Sequence, residues 1–340
     1  SLMWAKNVSG PSDGYALAVD GNSGLLVTGI FWGTLDFDMN GGVANLSAGG
    51  NYDCFVIKMD LNGNYLWGKA YGGTGLDNSG SITLDATGNI YTTGYFINTV
   101  DFDPGTGVTS MTAGNYDAYV LKLDPSGNFV FAKQITGMNA ERGYSVDVDA
   151  AGNIYLTGDF IGTADFDTGP GSFTISSTWS ANSIFVAKLD NTGALVWAVQ
   201  VGGNGIGHCV RLDNANNIYT TGFFYYQTAD FDPGTGVFNM TAIGANDAFV
   251  HKMSQGAIGI GENELNADIL LYPNPASDEM QILSDGKWET YRILNAIGQV
   301  VQEGNNNNRI SVIELPEGFY FLQLVNAEGK ISEEKFVKSN

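Results

Sequence analysis

A chain of 340 residues with 36 acidic against 15 basic side chains has a formal charge of −21, which repels phosphate backbones and anionic lipid surfaces and excludes nucleic-acid binding as a first reading. Only 15% of the residues are charged while 44% are hydrophobic, and 46 Gly, 16 Tyr and 19 Phe describe a turn-rich, aromatic β protein rather than a helical or a disordered one. No apolar run is long enough to span a membrane, and with Ser1 in first place the sequence is expected to be a mature or trimmed form.

Residues 1–8 form a short segment around Trp4. Four units follow, at about 9–67, 68–131, 132–197 and 198–254, and the chain repeats itself through them. Thr28-Gly29, Thr93-Gly94, Thr157-Gly158 and Thr221-Gly222 recur at spacings of 65, 64 and 64. Asp-Phe-Asp recurs at 36–38, 101–103, 165–167 and 230–232. Lys58, Lys122, Lys188 and Lys252 close apolar runs, and Trp4, Trp67, Phe131 and Trp197 mark one further position.

Within a unit the β-branched and aromatic segments are short, as at Ser81 to Asp85, Ile90 to Phe96, Ala118 to Asp124 and Asn128 to Gln134, which predicts four strands. The linkers at 85–89, 124–128 and 149–153 supply an Asp to cap a turn and a Gly for positive φ, the chemistry of a tight hairpin. The longer second connection, from Ile97 to Tyr116, carries the Asp-Phe-Asp triplet. Four-stranded units in tandem predict the blades of a β-propeller. The fourth unit stops without its aromatic strand, so residues 1–8 are expected to complete the last blade and close the ring without leaving a sheet edge.

Gly-Asn-Ile-Tyr-x-Thr-Gly at 88–94, followed by Asp-Ala-Tyr-Val-x-Lys-Leu-Asp-x-x-Gly at 117–127, resembles the β-propeller repeat of many exported Bacteroidota proteins. The resemblance covers about residues 1–254 and implies a propeller placed outside the cell; no catalytic residue comes with it.

Beyond residue 254 the composition changes. The first 255 residues hold 22 Asp and one Glu, and the remainder three Asp and ten Glu. Residues 255–267 read as a linker. Residues 268–340 predict a small Ig-like β-sandwich with strands at Glu279 to Leu283, Thr290 to Leu294, Val300 to Glu303, Arg309 to Glu314, Gly318 to Leu324 and Ile331 to Val337. The segment resembles the type A C-terminal sorting domain of the type IX secretion system. Four stretches carry the likeness: Leu271-Tyr-Pro-Asn-Pro-Ala276, Asn295-Ala-Ile-Gly-Gln-Val300, Leu315-Pro-Glu-Gly-Phe-Tyr-Phe-Leu322 and Lys335-Phe-Val-Lys338. It implies that an outer-membrane translocon reads the segment, through Tyr272, Pro273, Asn274, Pro275, Gly298, Gly318, Tyr320, Lys335 and Lys338. Extracellular or outer-membrane-surface placement follows from that resemblance.

Catalytic constellations are thin. His208 aligns with Tyr15 and Tyr144, and His251 with Ile57, Leu121 and Ala187, which are strand positions; no phosphate loop appears. Cys54 and Cys209 are either two small separate residues or one bridge between units. The best site candidates are Asp36, Asp38, Asp101, Asp103, Asp165, Asp167, Asp230 and Asp232. In an extended segment the two carboxylates of each triplet share a face, which suits Ca²⁺, whereas Asp103-Pro104-Gly105 and Asp232-Pro233-Gly234 are turn sequences in which the Asp caps backbone N–H groups. A further recurring acid, Asp53, Asp117 and Asp247, gives way to Ser183 in the third unit, which denies it a fourfold role. The expected function is an exported or cell-surface propeller serving as a non-enzymatic binding, adhesion or scaffold module, with a glycan or protein ligand on one face. The alternative is a polysaccharide-acting hydrolase or lyase, which an asymmetric cluster of ionisable groups unique to one unit would favour.

Overall fold

In the repeats, β-branched and aromatic runs between Asp- and Gly-bearing turns fold as antiparallel strands paired largely with their chain neighbours. The computed structural model describes residues 1–21, 23–177, 182–225, 227–234, 236–254, 269–284, 287–295, 300–327 and 331–339. The chain divides at Ile258/Gly259, and every regular element among the described residues is a strand. The linker expected at 255–267 lies outside the described residues.

The first repeat contains β1 (Ser12–Asp20), β2 (Gly24–Phe31), the small hairpin β3 (Thr34–Asp36) with β4 (Asn45–Ser47), β5 (Asp53–Met59) and β6 (Tyr65–Gly73). Strands β1, β2, β5 and β6 pair in that order, and the hairpin is inserted between the second and third. In the second repeat β7 (Asn78–Leu84), β8 (Ile90–Asp101), β9 (Ser110–Leu123) and β10 (Phe129–Gly137) pair alike, the hairpin being an extension of β8 and β9. The third repeat has β11 (Glu141–Val148), β12 (Ile154–Phe160), β13 (Thr163–Asp165), β14 (Thr174–Ser176), β15 (Ser183–Leu189) and β16 (Leu195–Leu212). β16 runs on to become the first strand of the fourth repeat, paired with β17 (Ile218–Phe224), which is followed by β18 (Thr228–Asp230), β19 (Asn239–Thr241) and β20 (Asp247–Met253).

Each sequence landmark has a packing reason. The Thr of Thr-Gly donates its hydroxyl to a third-strand carbonyl, at 2.8, 2.7, 2.7 and 2.6 Å in the four repeats. At the Gly, a Cβ would strike the carbonyl oxygen of Asp13, Asn78, Arg142 or Ile206, so only glycine lets the bulged first strand lie against the second. Lys122, Lys188 and Lys252 lie over the rings of Tyr91, Tyr155 and Tyr219, at 4.9, 5.2 and 5.0 Å. Lys58 pairs with Asp20 at 2.6 Å instead, Leu26 standing where the others have Tyr.

The Phe of each triplet fills the core. Phe102 lies 5.2 Å from Phe96 and 4.8 Å from Tyr119, and Phe37, Phe166 and Phe231 make the same three-ring cluster with second- and third-strand aromatics. The flanking backbone latches onto the preceding repeat: Asp101 pairs with Gly72, and Asp165 with Thr136.

The placement of residues 1–8 differs from expectation. Residues 1–9 form no strand, and among the described residues β20 pairs with β17 alone. The Trp4 indole N–H donates to Leu61 O at 3.0 Å, and its ring covers Gly63. Trp67 covers Gly127 and Phe131 covers Gly193 in the same way, so Trp4 gives the first repeat what each aromatic gives the repeat after it.

In the second unit, β21 (Ile269–Tyr272), β22 (Glu279–Ser284), β23 (Thr290–Asn295), β24 (Val300–Asn305), β25 (Arg309–Ser311), β26 (Gly318–Val325) and β27 (Ile331–Lys338) form two antiparallel sheets. Their order is β21-β22-β25 and β24-β23-β26-β27. Leu271, Met280, Ile282 and Ile310 from one sheet meet Ile293, Leu322, Leu324 and Phe336 from the other in a single core. All six expected strands are present, and β21 is additional.

Candidate functional site

The eight triplet carboxylates cap their own hairpins. Asp101 Oδ1 accepts from the backbone N–H groups of Asp103 and Thr109 at 3.1 and 2.8 Å, and Asp103 Oδ1 accepts from Gly105 N at 2.7 Å. Asp36, Asp165 and Asp230 accept the same pair of hydrogen bonds as Asp101, and Asp38, Asp167 and Asp232 the same single one as Asp103. Among the described residues no three His, Cys, Asp or Glu side chains gather in a way that could hold a metal ion. Shallow clefts do open beside two of the hairpins. One is bounded by Lys133, Gln134, Asp165 and Asp167, the other by Gln200, Asp230 and Asp232.

The capping geometry makes a prediction. Asp101→Ala orphans two partly exposed backbone donors and should cost about 1–2 kcal/mol in urea unfolding, whereas Asp101→Asn keeps an acceptor oxygen and should cost less than about 0.5 kcal/mol. A calcium role would instead make Asn as damaging as Ala in calcium buffer, with the cost of Asn vanishing in chelator.

A second constellation is unique to the junction of repeats two and three. The pairing register makes Ser12, Asp77, Glu141 and Gly205 equivalent, and likewise Ile30, Tyr95, Asp159 and Phe223. Tyr15, Gly80, Tyr144 and His208 are the bulge residues of the four first strands. Only the third repeat therefore brings a Glu, an Arg, a Tyr and an Asp together, as Glu141, Arg142, Tyr144 and Asp159.

Glu141 and Asp159 are wholly buried, at 0% exposure. Arg142 pairs with Asp159 at 3.2 Å, while both oxygens of Glu141 and Oδ1 of Asp159 lack a hydrogen-bond donor. Burial, reinforced by the charges of Asp117 and Asp159 and opposed by Arg142, pushes the Glu141 carboxyl up to about 8. Burial also raises Asp159 to about 6 against the pull of Arg142. Above these acids runs a chain of half-buried to exposed rings. Arg142 lies 5.9 and 5.5 Å from the Tyr95 and Tyr116 rings. Tyr95 contacts Tyr116 at 5.3 Å and Tyr144 at 6.3 Å, and His208 lies 5.3 Å from both Tyr144 and Phe223. The His208 position was expected as a strand site; its ring contacts were not. One signal was in the composition, because Glu141 is the single Glu of the first 255 residues.

His251 is half-buried, its Nδ1 lacks a partner, and burial lowers its pKa. Cys54 and Cys209 are both free thiols, the first buried with Tyr119 OH 3.7 Å from its sulfur.

The residues expected to carry the sorting signal come together from opposite ends of their segment. Asn274 Nδ2 donates to Lys335 O at 3.2 Å, and Val337 N donates to Asn274 Oδ1 at 2.9 Å. Ala276 forms a bridge with Lys338, which also faces Gly318 across the β26/β27 pair. Tyr320 stacks on Phe336 at 5.6 Å and donates its hydroxyl to Pro316 O at 2.9 Å. Lys335 lies over Phe319 at 4.4 Å. Pro273 and Pro275 both follow cis peptide bonds, Tyr272 is exposed, and Gly298 lies outside the described residues.

Comparisons with known proteins place this segment. The chain is 26% identical over 235 residues to an uncharacterised WD repeat-containing protein of Acanthamoeba polyphaga mimivirus, a match covering 60% of this chain and 17% of that protein. Among solved structures, PorZ, an essential surface component of the type IX secretion system of Porphyromonas gingivalis, is 11% identical with a TM-score of 0.28, over 96% of this chain and 45% of that one. The extracellular domain of a protein described as a one-component system of B. thetaiotaomicron is 11% identical with a TM-score of 0.23, over 96% and 57%. The chain thus spans about half the length of these structures and a smaller part of the viral protein. Residues 270–339 match the family model of the secretion system C-terminal sorting domain. No helix of the described residues is long and apolar enough to cross a membrane. The chain therefore carries a C-terminal sorting domain of the type IX secretion system and belongs outside the cell or at the outer-membrane surface.

Proposed function

We propose that the four repeats form a four-bladed, propeller-type binding module without catalysis, carried to the cell exterior by an Ig-like sorting sandwich that the type IX translocon reads. The observation that carries the binding reading is the run of rings Tyr95, Tyr116, Tyr144, His208 and Phe223 around Arg142. Rings with an apolar face and a polar tip stack on sugar rings and hydrogen-bond at their edges, so a glycan is the favoured ligand. The asymmetric acids beneath argue for the alternative hydrolase or lyase, yet Glu141 and Asp159 have no exposed surface with which to touch a substrate. Burial and the neighbouring Asp159 also raise the Tyr144 pKa, which keeps its phenol protonated and unable to accept a substrate proton.

Titration calorimetry of the full chain against soluble polysaccharide fragments tests the reading. Tyr144→Ala should weaken binding about tenfold or more, worth ~1.4 kcal/mol. Product release by the wild type that Glu141→Gln abolishes would establish the enzymatic alternative instead.

A further inference from the structure

The acids that fail a fourfold pattern pair across repeat junctions. Asp53 opens the third strand of the first repeat and Asp77 stands just before the first strand of the second. Tyr52 and Leu76 form a parallel bridge, and Asp77 N donates to Tyr52 O at 2.9 Å, which fixes the two acids side by side. Gly49 N donates to Asp53 and Gly73 N to Asp77, both at 2.8 Å, and the backbone donors of Gly50 and Ile97 also face the two carboxylates. Oδ1 of each is buried with no donor, and the residues are 4% and 1% exposed. At the next junction Asp117 and Glu141 lie close enough for the charge of the first to act on the second; Gln134 donates to Asp117 Oδ2 at 2.5 Å and three carboxylate oxygens remain without a donor. The third junction has Ser183 and Gly205 at these places, and Gly205 N still donates to Asn182 O at 2.9 Å. The backbone contact thus occurs at the first junction, which carries an acid pair, and at the third, which carries none.

Two ionised carboxylates cannot lie together in a dry site without a counter-charge. We propose that Asp53–Asp77 and Asp117–Glu141 are proton-holding clasps: each pair keeps a proton between two carboxyl groups of adjacent repeats, and losing it loosens that junction. Groups facing the first pair are Cys54 of β5 and the Gly73 and Ile97 backbone donors. The second faces Gln134 of β10, Arg142 of β11 and Asp159 of β12. Arg142 is already engaged by Asp159.

The direction is consistent. Burial and the charge of Asp53 raise Asp77 to about 7, burial raises Asp117 to about 6, and burial with Asp117 and Asp159 raises Glu141 to about 8. For acids with raised folded-state pKa values the unfolded chain releases protons first, so stability falls as pH climbs from the ordinary carboxyl range and levels off above about 8.

Calorimetric melting of the full chain across pH 5 to 9 tests this. The wild-type repeat transition should drop by about 5 °C or more, and Asp77→Asn with Glu141→Gln should remove most of the drop by melting higher at pH 8. Hydrogen exchange corrected for intrinsic rates should show β7 and β11 opening faster at high pH while β17 does not, an assay that also serves if the double variant folds poorly. Equal pH slopes in wild type and variant, or uniform exchange, would overturn the clasp. So would a stoichiometric calcium heat at pH 8 that abolishes the wild-type slope, because the pairs would then hold a cation.

Discussion

Ending the chain after Val325 should abolish its appearance outside the cell while leaving the four repeats folded. The cut removes β27, which pairs with β26 along eight residue pairs from Gly318↔Lys338 to Val325↔Ile331. Phe336 leaves the core, uncovering Tyr320, and Asn274 loses both its donor and its acceptor in the last strand. A seven-stranded unit of this size has one small core and cannot spare the strand that carries Phe336. The repeats keep their own core clusters, built from residues 8–253. Immunoblots of medium, outer-membrane and periplasmic fractions check the outcome; normal amounts of the shortened chain outside the cell would sink it. Asn274→Ala, losing two hydrogen bonds at about 1 kcal/mol each, should reduce export without ending it.

The fold was legible where one residue type answers one geometric demand. Thr-Gly repeats because a hydroxyl must reach the third strand and a Cβ would collide with the bulged first strand, and both facts leave the same dipeptide four times. The hairpin aspartates are equally plain. Asp85 accepts from Thr87 N and Asn89 N, and Asp149 from Ala151 N and Asn153 N, all at 2.9 Å, around glycines at φ 83° and 80°. The placement of residues 1–8 was not legible, because a strand sequence names a partner type and not which partner. Trp4 can cover any glycine hairpin of the array, and it covers the adjacent one, at Gly63.

The site was less legible for a related reason. Repetition drew the eye to the triplets, whose carboxylates serve their own hairpins, while chemistry specific to one place breaks the repeat. Glu141 and Arg142 stand out only when each position is compared across all four units: Ser12, Asp77 and Gly205 for the first, Asp13, Asn78 and Ile206 for the second. The loss of Asp at Ser183 counted against that acid as a recurring feature. The junction contacts show why the change is coherent, since Gly205 across from Ser183 has lost its acid too.

Replacing Phe102 by Ala should be the most damaging single change in the repeats, at about 3–5 kcal/mol. The ring is wholly buried among Tyr71, Phe96 and Tyr119, with centroids 5.9, 5.2 and 4.8 Å away. Tyr71 belongs to the first repeat and the other two to the second, so the cavity would open at a junction rather than inside one sheet. Asp101, next in the chain, holds the backbone pairing to Gly72, and a loosened ring frees that latch as well. Tyr71, Tyr119, Thr92 and Ser79 form a buried hydroxyl network with Tyr71 to Tyr119 at 2.9 Å, which a neighbouring void lets water or rotamer change disturb. Phe238→Ala, at an exposed position in the fourth repeat's hairpin, should stay within about 0.5 kcal/mol and serves as the control. Urea unfolding at constant m reads both. A Phe102→Ala cost below about 1.5 kcal/mol would mean that the triplet ring fills space without holding two repeats together.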